Sequence, residues 1–367
     1  MAAALACATR GLSAAVVAHE PPARAAIAQG EFDARVYALA PGNVAFLRDI
    51  GVWRGMPADR LCPVHAMRIY GDQGACLRFD AYEAGVPELA WIVEDAVLQA
   101  ALWAANAAPV FAPAEPQGLE VAPDRAALTL RDGRRLEASL VVGADGARSF
   151  VRREAGIAVR ERDYGQSAVV ANFRCGKPHG NTAYQWFAGG PVLALLPLPG
   201  DRVSMVWSLP TERARSLTAE NLAGEVHAAS RGALGELALI TPPRSYRLRR
   251  VSAHRMVAPR VALAGDAAHV VHPLAGQGLN LGLQDVRGLV QVLTGKEPFR
   301  DAGDIRLLRR YERSRAEPVL AMDGIISGLF ALFGAGGRMA SLARNAGLNL
   351  TDRLPVLKNI LMRQAMG

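Results

Sequence analysis

The stretch from Arg260 to Asp285, RVALAGDAAHVVHPLAGQGLNLGLQD, constrains the fold of this chain more than any other part of its sequence. It opens with a short apolar segment, Val261 to Ala264, that is typical of a buried strand, and Gly265-Asp266 follows directly. A loop containing proline and glycine then leads to a helix that we expect to begin near Gly278. A strand that ends in a carboxylate and continues through glycines to the free N–H groups of a helix N-terminus suits an anionic ligand bearing hydroxyl groups. The spacing therefore predicts a cofactor site rather than an ordinary strand–loop–helix connection.

A second turn of the same kind occurs earlier in the chain. The apolar residues Leu140 to Val142 precede Gly143 and the pair Asp145-Gly146, and a helix is expected from Ser149 onwards. A lone turn of this composition could be any β-turn, but two strand–acid–glycine elements in one chain are unlikely to coincide by chance. We therefore expect both turns to meet at one site and to bind a pyrophosphate and its sugars from two sides.

Composition excludes several classes of protein. Of the 367 residues 51% are hydrophobic, which is enough for one large domain or two intertwined domains. The net charge is +8, but the basic residues are dispersed and do not alternate with aromatic ones, which argues against nucleic-acid binding. The 4 cysteines form no CxxC pair, which argues against a zinc site and for a reducing compartment. No apolar run reaches the ~18 residues that a membrane-spanning helix needs.

The N-terminal segment MAAALACATRGLSAAVVA is apolar and free of acids, as some targeting peptides are. It has no basic residues ahead of its apolar part, so we favour a helix from Ala2 to Thr9 and a strand from Ala14 to Ala18. In a dinucleotide-binding fold, a strand and a GxGxxG turn precede such a helix. Both are missing here, which a misassigned start or a real truncation would explain. Glu20 is the nearest candidate for the acid that binds a ribose, although a solvated loop glutamate fits the pattern equally well.

The remaining segments predict a second, mainly antiparallel layer. A hairpin is expected around the turn at residues 71–74, a helix from Glu94 to Asn106, and a second hairpin across Asp132-Gly133. After the Arg260–Asp285 stretch we expect helices to about Leu293 and from Ile305 to Arg315. The antiparallel strands are predicted at 121–130, 134–137, 167–173, 182–187, 192–197, 202–209 and 246–251.

These residues resemble a known family. LVVGADGARSFVR is similar to the DG motif, and RVALAGDAAHVVHPLAGQGLNLGLQD to the GD motif, of FAD-dependent aromatic hydroxylases of the p-hydroxybenzoate hydroxylase type. FDARVYAL with IGVW, the segment GPVLALLPLPGDRVSMVW and the tail ARNAGLNLTDRLPVLKNILMRQAMG resemble, more narrowly, the ubiquinone-biosynthesis hydroxylases, and the similarity covers essentially the whole chain.

The resemblance implies an α/β fold in which a Rossmann-like FAD-binding domain is interleaved with an antiparallel β substrate domain. The FAD-binding domain would comprise residues 1–63, 91–160 and 255–300, without the first strand and GxGxxG turn. The substrate domain would comprise residues 64–90 and 161–254, and residues 301–367 would form a C-terminal helical region.

The resemblance also implies a class A flavoprotein monooxygenase. NAD(P)H would reduce FAD, and a flavin C4a-hydroperoxide formed with O₂ would hydroxylate the ring of a polyprenylated phenol in ubiquinone biosynthesis. Such an enzyme is expected in the cytoplasm or peripherally at the inner face of the membrane. Three alternatives stay open: another aromatic-ring flavin hydroxylase, a flavin halogenase or prenyl reductase, and a non-catalytic, flavin-deficient paralogue in a biosynthetic complex. The absence of a WxWxIP pattern disfavours the halogenase.

The motifs assign cofactor contacts to particular positions. Asp266 would bind the ribityl chain, Asp145 and Gly146 would lie by the pyrophosphate and ribose, and Arg35 would contact FAD. Glu94-Asp95-Ala96 departs from the acid–arginine element common at this place, so a flavin contact there is in doubt. The resemblance places six residues beside the isoalloxazine ring: Pro273, Gly276, Gln277, Gly278, Leu279 and Asn280.

No side chain is assigned a catalytic role, because the flavin supplies the chemistry, although the motif puts His272 and Pro273 near it. His269 is expected to pack the loop, with proton transfer as the alternative. For the substrate, Tyr184, Trp186 and Trp207 could line a pocket, and sheet packing explains them equally well. The basic, amphipathic tail from Met322 to Met362 could contact a membrane or partner enzymes, or pack on the core as an ordinary helix.

Overall fold

The computed structural model describes residues 1–21, 31–71, 75–188, 190–271 and 277–317. The helices are α1 Ala2–Ala8, α2 Pro41–Asp49, α3 Asp95–Ala105, α4 Phe150–Glu154, α5 Thr211–Arg215, α6 Leu222–Ala229, α7 Gln277–Thr294 and α8, which includes 305–317. Strands β1 to β10 are Val16–Val17, Val36–Leu39, Cys62–Val64, Ala66–Tyr70, Cys76–Asp80, Ala90–Glu94, Val110–Phe111, Pro116–Val121, Ala126–Leu130 and Arg135–Ala138. Strands β11 to β20 are Val141–Gly143, Val159–Cys175, Thr182–Phe187, Val192–Leu198, Arg202–Pro210, Leu237–Leu239, Arg244–Ala253, Val257–Ala258, Val261–Leu263 and His269–Val270.

A nine-stranded sheet, in the order β20-β17-β12-β15-β14-β13-β4-β5 with β16 beside β12, forms the largest layer. Its central strands pair antiparallel, and alternate side chains therefore point to opposite faces. One face, called here the helix-side face, packs under α5 and α6 through residues such as Phe173, Leu195 and Met205. These side chains are fully buried and form the larger hydrophobic core of the molecule.

The opposite face, called here the cofactor-side face, packs against a small sheet of order β2-β6-β3. Ala183 and Leu198 of the large sheet contact Cys62, Val64 and Ile92 of the small one. This contact joins segments that are distant in sequence, and it fixes the position of the small sheet that contains β2.

The strands that carry the two motifs form a third sheet. β11 pairs in parallel with β19, which also pairs with β18. A Cβ atom at Gly143 would lie 2.9 Å from side-chain atoms of both Leu263 and Val151, so only glycine permits this strand to pack against β19 and α4. Helix α7 packs on α1 and α2 through an apolar face that includes Leu283, Val286 and Val290.

The structure confirms the predicted α/β class and the antiparallel layer. Strand β13 has the predicted bounds, and α3 and α7 lie within two residues of theirs. The single strand expected at 121–130 was wrong, because Ala122 and Arg125 close a turn and separate β8 from β9. Strand β12 begins at Val159, well before the predicted residue 167. Its first part, Arg160 to Asp163, is charged and exposed, so it lacks the apolar residues from which a strand is predicted. Within the described ranges, no helix combines the length and hydropathy needed to cross a bilayer.

Candidate active site

Parallel pairing of β11 and β19 brings the two motif turns together. Val141, Val142 and Gly143 lie opposite Val261, Ala262 and Leu263, so both strands end at the same edge of the sheet. The backbone turns away from each strand at a glycine with positive φ, +79° at Gly146 and +60° at Gly265. Asp145 and Asp266 therefore project from neighbouring turns at this edge, as the sequence predicts.

The Asp145 carboxylate stabilises its own turn. It accepts hydrogen bonds from the Ser149 hydroxyl at 2.5 Å and from the Val151 N–H at 3.1 Å. Ser149 in turn accepts a bond from the Arg152 N–H at 3.0 Å and caps α4. Contact of Asp145 with the cofactor stays a prediction, whereas its role in shaping the turn is visible. A Cβ at the adjacent Gly146 would meet no atom within 4 Å, so this backbone borders open space.

Arg152 links the two turns and was missed as a site residue in the sequence. Its side chain donates to the carbonyl of Ala147 at 2.8 Å and to that of Ala267 at 2.7 Å, and the residue is only 6% exposed. One planar guanidinium thus satisfies a carbonyl in each turn. The signal was present in the motif ARSFVR, where Arg152 follows the helix cap by three positions.

Asp266 is the acid best placed to bind a ligand. Its residue is exposed to solvent, but the surrounding protein displaces part of the water, and this burial raises the pKa of its carboxyl group. Electrostatic interactions with His269 and Arg35 act in the opposite direction and lower that pKa. A carboxylate in such a recess gains from hydrogen-bond donors on a ligand, such as sugar hydroxyls.

Arg35 comes from the other side of the site, on the segment before β2. Its guanidinium lies 4.0 Å from the Asp95 carboxylate and 5.4 Å from the centre of the Tyr37 ring, and its side chain is 53% exposed. Burial acts to lower the pKa of this guanidinium, but the nearby acidic and phenolic groups outweigh it and raise that pKa. Those groups are Tyr37, Asp95, Tyr246 and Asp266. The structure therefore brings Arg35 within electrostatic range of Asp266, and contact of Arg35 with FAD stays a prediction.

Helix α7 is locked against the GD turn by a buried acid. Asp285 is 0% exposed and accepts bonds from the Gly265 N–H at 2.9 Å and from His269 Nε2 at 2.7 Å. Arg315 of α8 donates to its other oxygen at 2.8 Å. His269 is itself buried, so its imidazole packs and orients the loop, in line with the structural expectation. A Cβ at Gly282 would lie 3.2 Å from the Gly265 Cα, so helix and turn are in close contact.

The isoalloxazine contacts assigned by the motif are only partly within the described structure. His272, Pro273 and Gly276 lie outside the described residues, and α7 begins at Gln277. A Cβ at Gly278 would meet no atom within 4 Å, and Leu279 is half-buried against the core below α7. These contacts stay predictions.

Asn280 forms a bridge within the protein. Its side chain accepts bonds from the Ala40 N–H at 2.9 Å and from Asn43 Nδ2 at 2.8 Å, and donates to the Ala38 carbonyl at 2.8 Å. The side chain therefore joins α7 to β2 and α2, and it is 2% exposed. A cofactor contact of Asn280 stays a prediction.

The structure does not bring the predicted substrate residues to the two motif turns. Tyr184, Trp186 and Trp207 lie on the helix-side face, at most 8% exposed, within the core under α5 and α6. Tyr184 and Trp186 stack with centroids 5.8 Å apart. This placement favours the alternative of sheet packing. Glu20 lies in an exposed bend after β1, next to residues that are outside the described part of the chain.

The fold and this pair of turns define the class of the protein as one that contains an FAD-binding domain. The structure superimposes with a TM-score of 0.76 on PqsL from Pseudomonas aeruginosa, a probable FAD-dependent monooxygenase, at 23% identity and covering 95% of each chain. A family model described as an FAD binding domain matches residues 33–322.

Two relatives place the chain more narrowly. The 3-demethoxyubiquinol 3-hydroxylase of Escherichia coli is 34% identical, with 99% of this chain and 95% of the relative aligned. The ubiquinone hydroxylase UbiL of Rhodospirillum rubrum is 37% identical, over 99% of this chain and 86% of the relative. The chain therefore belongs to the FAD-dependent hydroxylase family that includes the ubiquinone hydroxylases, as the motifs predict.

The residues of the site fit FAD. The edge formed by β11 and β19 presents the solvent-accessible Asp266 carboxyl, whose pKa is raised, and Gly146, whose backbone borders open space, and the Arg35 guanidinium lies within electrostatic range of Asp266. The sugar hydroxyls of FAD need a hydrogen-bond acceptor, and its pyrophosphate needs a cation. Its flat ring system needs a backbone that can approach closely.

Proposed function

We propose that this protein inserts one oxygen atom of O₂ into the aromatic ring of a polyprenylated phenol on the route to ubiquinone, with NAD(P)H as electron donor. The balanced reaction is ArH + O₂ + NAD(P)H + H⁺ → ArOH + H₂O + NAD(P)⁺. The observation that supports it best is the meeting of the DG turn, the GD turn and Arg35 in a chain whose relatives are named ubiquinone hydroxylases.

When bound, FAD supplies the hydride acceptance and the oxygen activation, and the chain supplies binding, orientation and exclusion of water. Asp266 would accept hydrogen bonds from the ribityl hydroxyls, and the Arg35 guanidinium would offset the charge of the pyrophosphate. Arg152 holds the two turns at a fixed separation through its two carbonyl partners. Asp285 and His269 keep α7 in place against the GD turn.

The cofactor-side face of the large sheet is the surface we propose for the substrate ring, in place of Tyr184, Trp186 and Trp207. Tyr246 lies on this face of β17, opposite Ala168 of β12, and it is close enough to Arg35 to affect that guanidinium electrostatically. Next to it, this face is packed against the β2-β6-β3 sheet through Ala183 and Leu198, and we expect this apolar contact to close the site on that side. Such a wall excludes water from a reacting ring.

Purification of the chain with FAD, followed by spectroscopy and turnover, tests this proposal. We expect a yellow protein that consumes NAD(P)H faster when a prenylated phenol is added, and a product that contains one atom from isotopically labelled O₂. Comparison of NADH with NADPH identifies the donor, and the position of the new hydroxyl in the product identifies the ring carbon. A folded but colourless protein that co-purifies with other biosynthetic enzymes would contradict the proposal and support a non-catalytic partner.

We also propose that the C-terminal tail brings the enzyme to its apolar substrate at an anionic membrane surface. The tail lies outside the described residues, so the proposal rests on its sequence, in which Ile325, Ile326, Leu329 and Phe330 accompany arginines. The full chain should sediment with anionic vesicles, whereas a chain that ends at Glu317 should stay in the supernatant. If the tail binds another hydroxylase and not vesicles, the tail contacts a partner enzyme and the membrane proposal is wrong.

A further inference from the structure

The segment that carries Arg35 is held by an unusual number of specific hydrogen bonds around Asp33. The Asp33 N–H donates to Glu94 at 2.6 Å. Its carboxylate accepts from the Arg35 N–H at 3.0 Å and from the Ala96 N–H at 3.3 Å. The bond to Arg35 spans two residues and fixes the local backbone from which the Arg35 side chain projects.

Glu94 anchors this arrangement from below. It is 0% exposed, and Arg60 binds both of its oxygens, with Nε at 2.8 Å and Nη2 at 2.7 Å. The same Arg60 guanidinium lies 4.5 Å from the centre of the Phe32 ring, next to Asp33. A buried, bidentate ion pair of this kind specifies geometry more than it adds stability. Glu94 therefore has a structural role in this segment.

Asn172 is the contact between this network and the large sheet. It lies near the C-terminal end of β12, on the cofactor-side face, and is 0% exposed. Its Nδ2 donates to the Asp33 carbonyl at 2.8 Å. Its own backbone is secured as well, because its N–H donates to the Thr241 hydroxyl at 2.8 Å and its carbonyl accepts from Ile240 at 2.9 Å. A buried amide lowers stability unless its polar atoms are hydrogen-bonded, and here the Nδ2 group has the Asp33 carbonyl as its partner.

The sheet provides an internal comparison for Asn172. Ser204 lies directly opposite it on β15, on the same face and also 0% exposed. The Ser204 hydroxyl and the Asn172 Oδ1 atom have no hydrogen-bond partner among the described residues. Of these two polar neighbours, Asn172 alone reaches the Arg35 segment through a described bond.

We propose that Asn172 is a positioning residue that fixes the Arg35 guanidinium for the FAD pyrophosphate, acting through Asp33. Strand β12, whose cofactor-side face belongs to the surface proposed for the substrate ring, thereby sets the geometry of a cofactor contact, and one amide couples substrate binding to cofactor binding. This inference rests on the FAD contact of Arg35 in the proposed function, and it does not depend on the identity of the phenol.

A double-mutant cycle on FAD affinity tests the inference, with the dissociation constant measured by titrating the apoprotein with FAD. We expect Asn172→Ala to weaken FAD binding about tenfold, the equivalent of one lost hydrogen bond. Arg35→Ala should weaken it at least as much, and the double variant should bind within about twofold of Arg35→Ala alone. Losses that add would show that Asn172 acts independently of Arg35 and would overturn the inference. So would an Arg35→Ala protein with unchanged affinity.

Ser204→Ala is the matched control, because it removes a buried polar group of the same face that bonds nothing described. FAD affinity should stay within about twofold of the starting protein. A loss equal to that of Asn172→Ala would instead mean that any disturbance of this face weakens FAD, which contradicts a specific role. If Asn172→Ala does not fold, Asn172→Ser, too short to reach the Asp33 carbonyl, replaces it in the cycle. A protein that shows the expected cycle but hydroxylates no phenol would refute the proposed function and leave this inference standing.

Discussion

At the scale of single residues, the site contains groups whose placement lowers the stability of the folded protein but suits ligand binding. The Asp266 carboxyl is the best example, because the protein around it raises its pKa above the ordinary value of 3.8. An acid with a raised pKa in the folded state makes the fold less stable as the pH rises through the interval between the ordinary and the raised value. Above that interval, the folded protein contains a carboxylate that has lost part of its hydration.

Replacement of Asp266 by asparagine should therefore raise the melting temperature of the apoprotein at neutral pH. The gain should shrink as the pH falls towards ~4, where the carboxyl of the starting protein is also neutral. FAD affinity should fall about tenfold or more, because a charged acceptor is lost. Thermal unfolding at several pH values and FAD titration measure both effects. A variant that is less stable at neutral pH and binds FAD normally would contradict this account.

Arg152 illustrates the opposite case, a residue whose loss should damage both stability and binding. Arg152→Ala leaves the carbonyls of Ala147 and Ala267 without their buried donor, and we expect the free energy of unfolding to fall by about 2–4 kcal/mol. FAD affinity should fall as well, because the separation of the two turns is no longer fixed. Denaturant unfolding and FAD titration provide the measurements.

The neighbouring Arg153 is the natural control for Arg152. Its side chain is 68% exposed, forms an ion pair with Glu154 and lies 5.3 Å from the centre of the Phe150 ring. Arg153→Ala should change the unfolding free energy by no more than about 0.5 kcal/mol. If the two substitutions have similar effects, the bridge between the turns is not important for stability.

At the scale of elements, the contact between α7 and the GD turn decides how close the helix N-terminus can come to a ligand. Gly282→Ala would add a Cβ that lies 3.2 Å from the Gly265 Cα. Because the contacted atom belongs to the backbone, this close contact can be relieved only if α7 moves away from the turn. We expect a loss of about 1–3 kcal/mol in unfolding free energy and weaker FAD binding. These are measured by denaturant unfolding and FAD titration.

Gly224 in α6 offers a helical glycine in open space, since a Cβ there would meet no atom within 4 Å. Gly224→Ala should stabilise the protein by about 0.5–1 kcal/mol, because alanine loses less conformational entropy on helix formation. If Gly282→Ala lowers the unfolding free energy and Gly224→Ala raises it, the effect at Gly282 comes from its contact with Gly265. Stabilisation at both positions would show that α7 has room to move.

At the scale of the whole molecule, the two sides of the active site share one core. Ala183 and Leu198 of the large sheet pack with Cys62, Val64 and Ile92 of the small sheet, and Asn172 bonds to Asp33 across the same boundary. We therefore expect the described structure to unfold in a single cooperative transition. FAD at a thousandfold excess over its dissociation constant should raise the unfolding free energy by about 4 kcal/mol and shift the whole transition.

Calorimetry with and without FAD tests this cooperativity. Two transitions, of which FAD moves only one, would show that the cofactor unit and the substrate sheet fold independently. The proposed coupling of Asn172 to Arg35 would then lack its physical basis.

Much of this protein is determined by short-range patterns in its sequence. The strand–acid–glycine turns at Asp145 and Asp266, helix α7 and the antiparallel strands from β13 to β15 all follow from local alternation of apolar residues and from glycine positions. The sequence also predicts that the two turns meet at one site, because both suit the same ligand, whereas the parallel pairing of β11 with β19 is a finding of the structure.

Only the tertiary structure decided which way the side chains of the large sheet face and what joins its parts. Aromatic side chains such as Tyr184, Trp186 and Trp207 are suited to a binding pocket. The register of their strands, however, turns them towards α5 and α6. A shift of one residue would have turned them to the other face, and no local pattern distinguishes the two. Arg152, Asn172 and Glu94 act through partners distant in sequence, and for this reason they became visible only once the strands were paired. The DG and GD turns therefore follow from the sequence, whereas the contacts that hold Asp266 and Arg35 at one site depend on the complete fold.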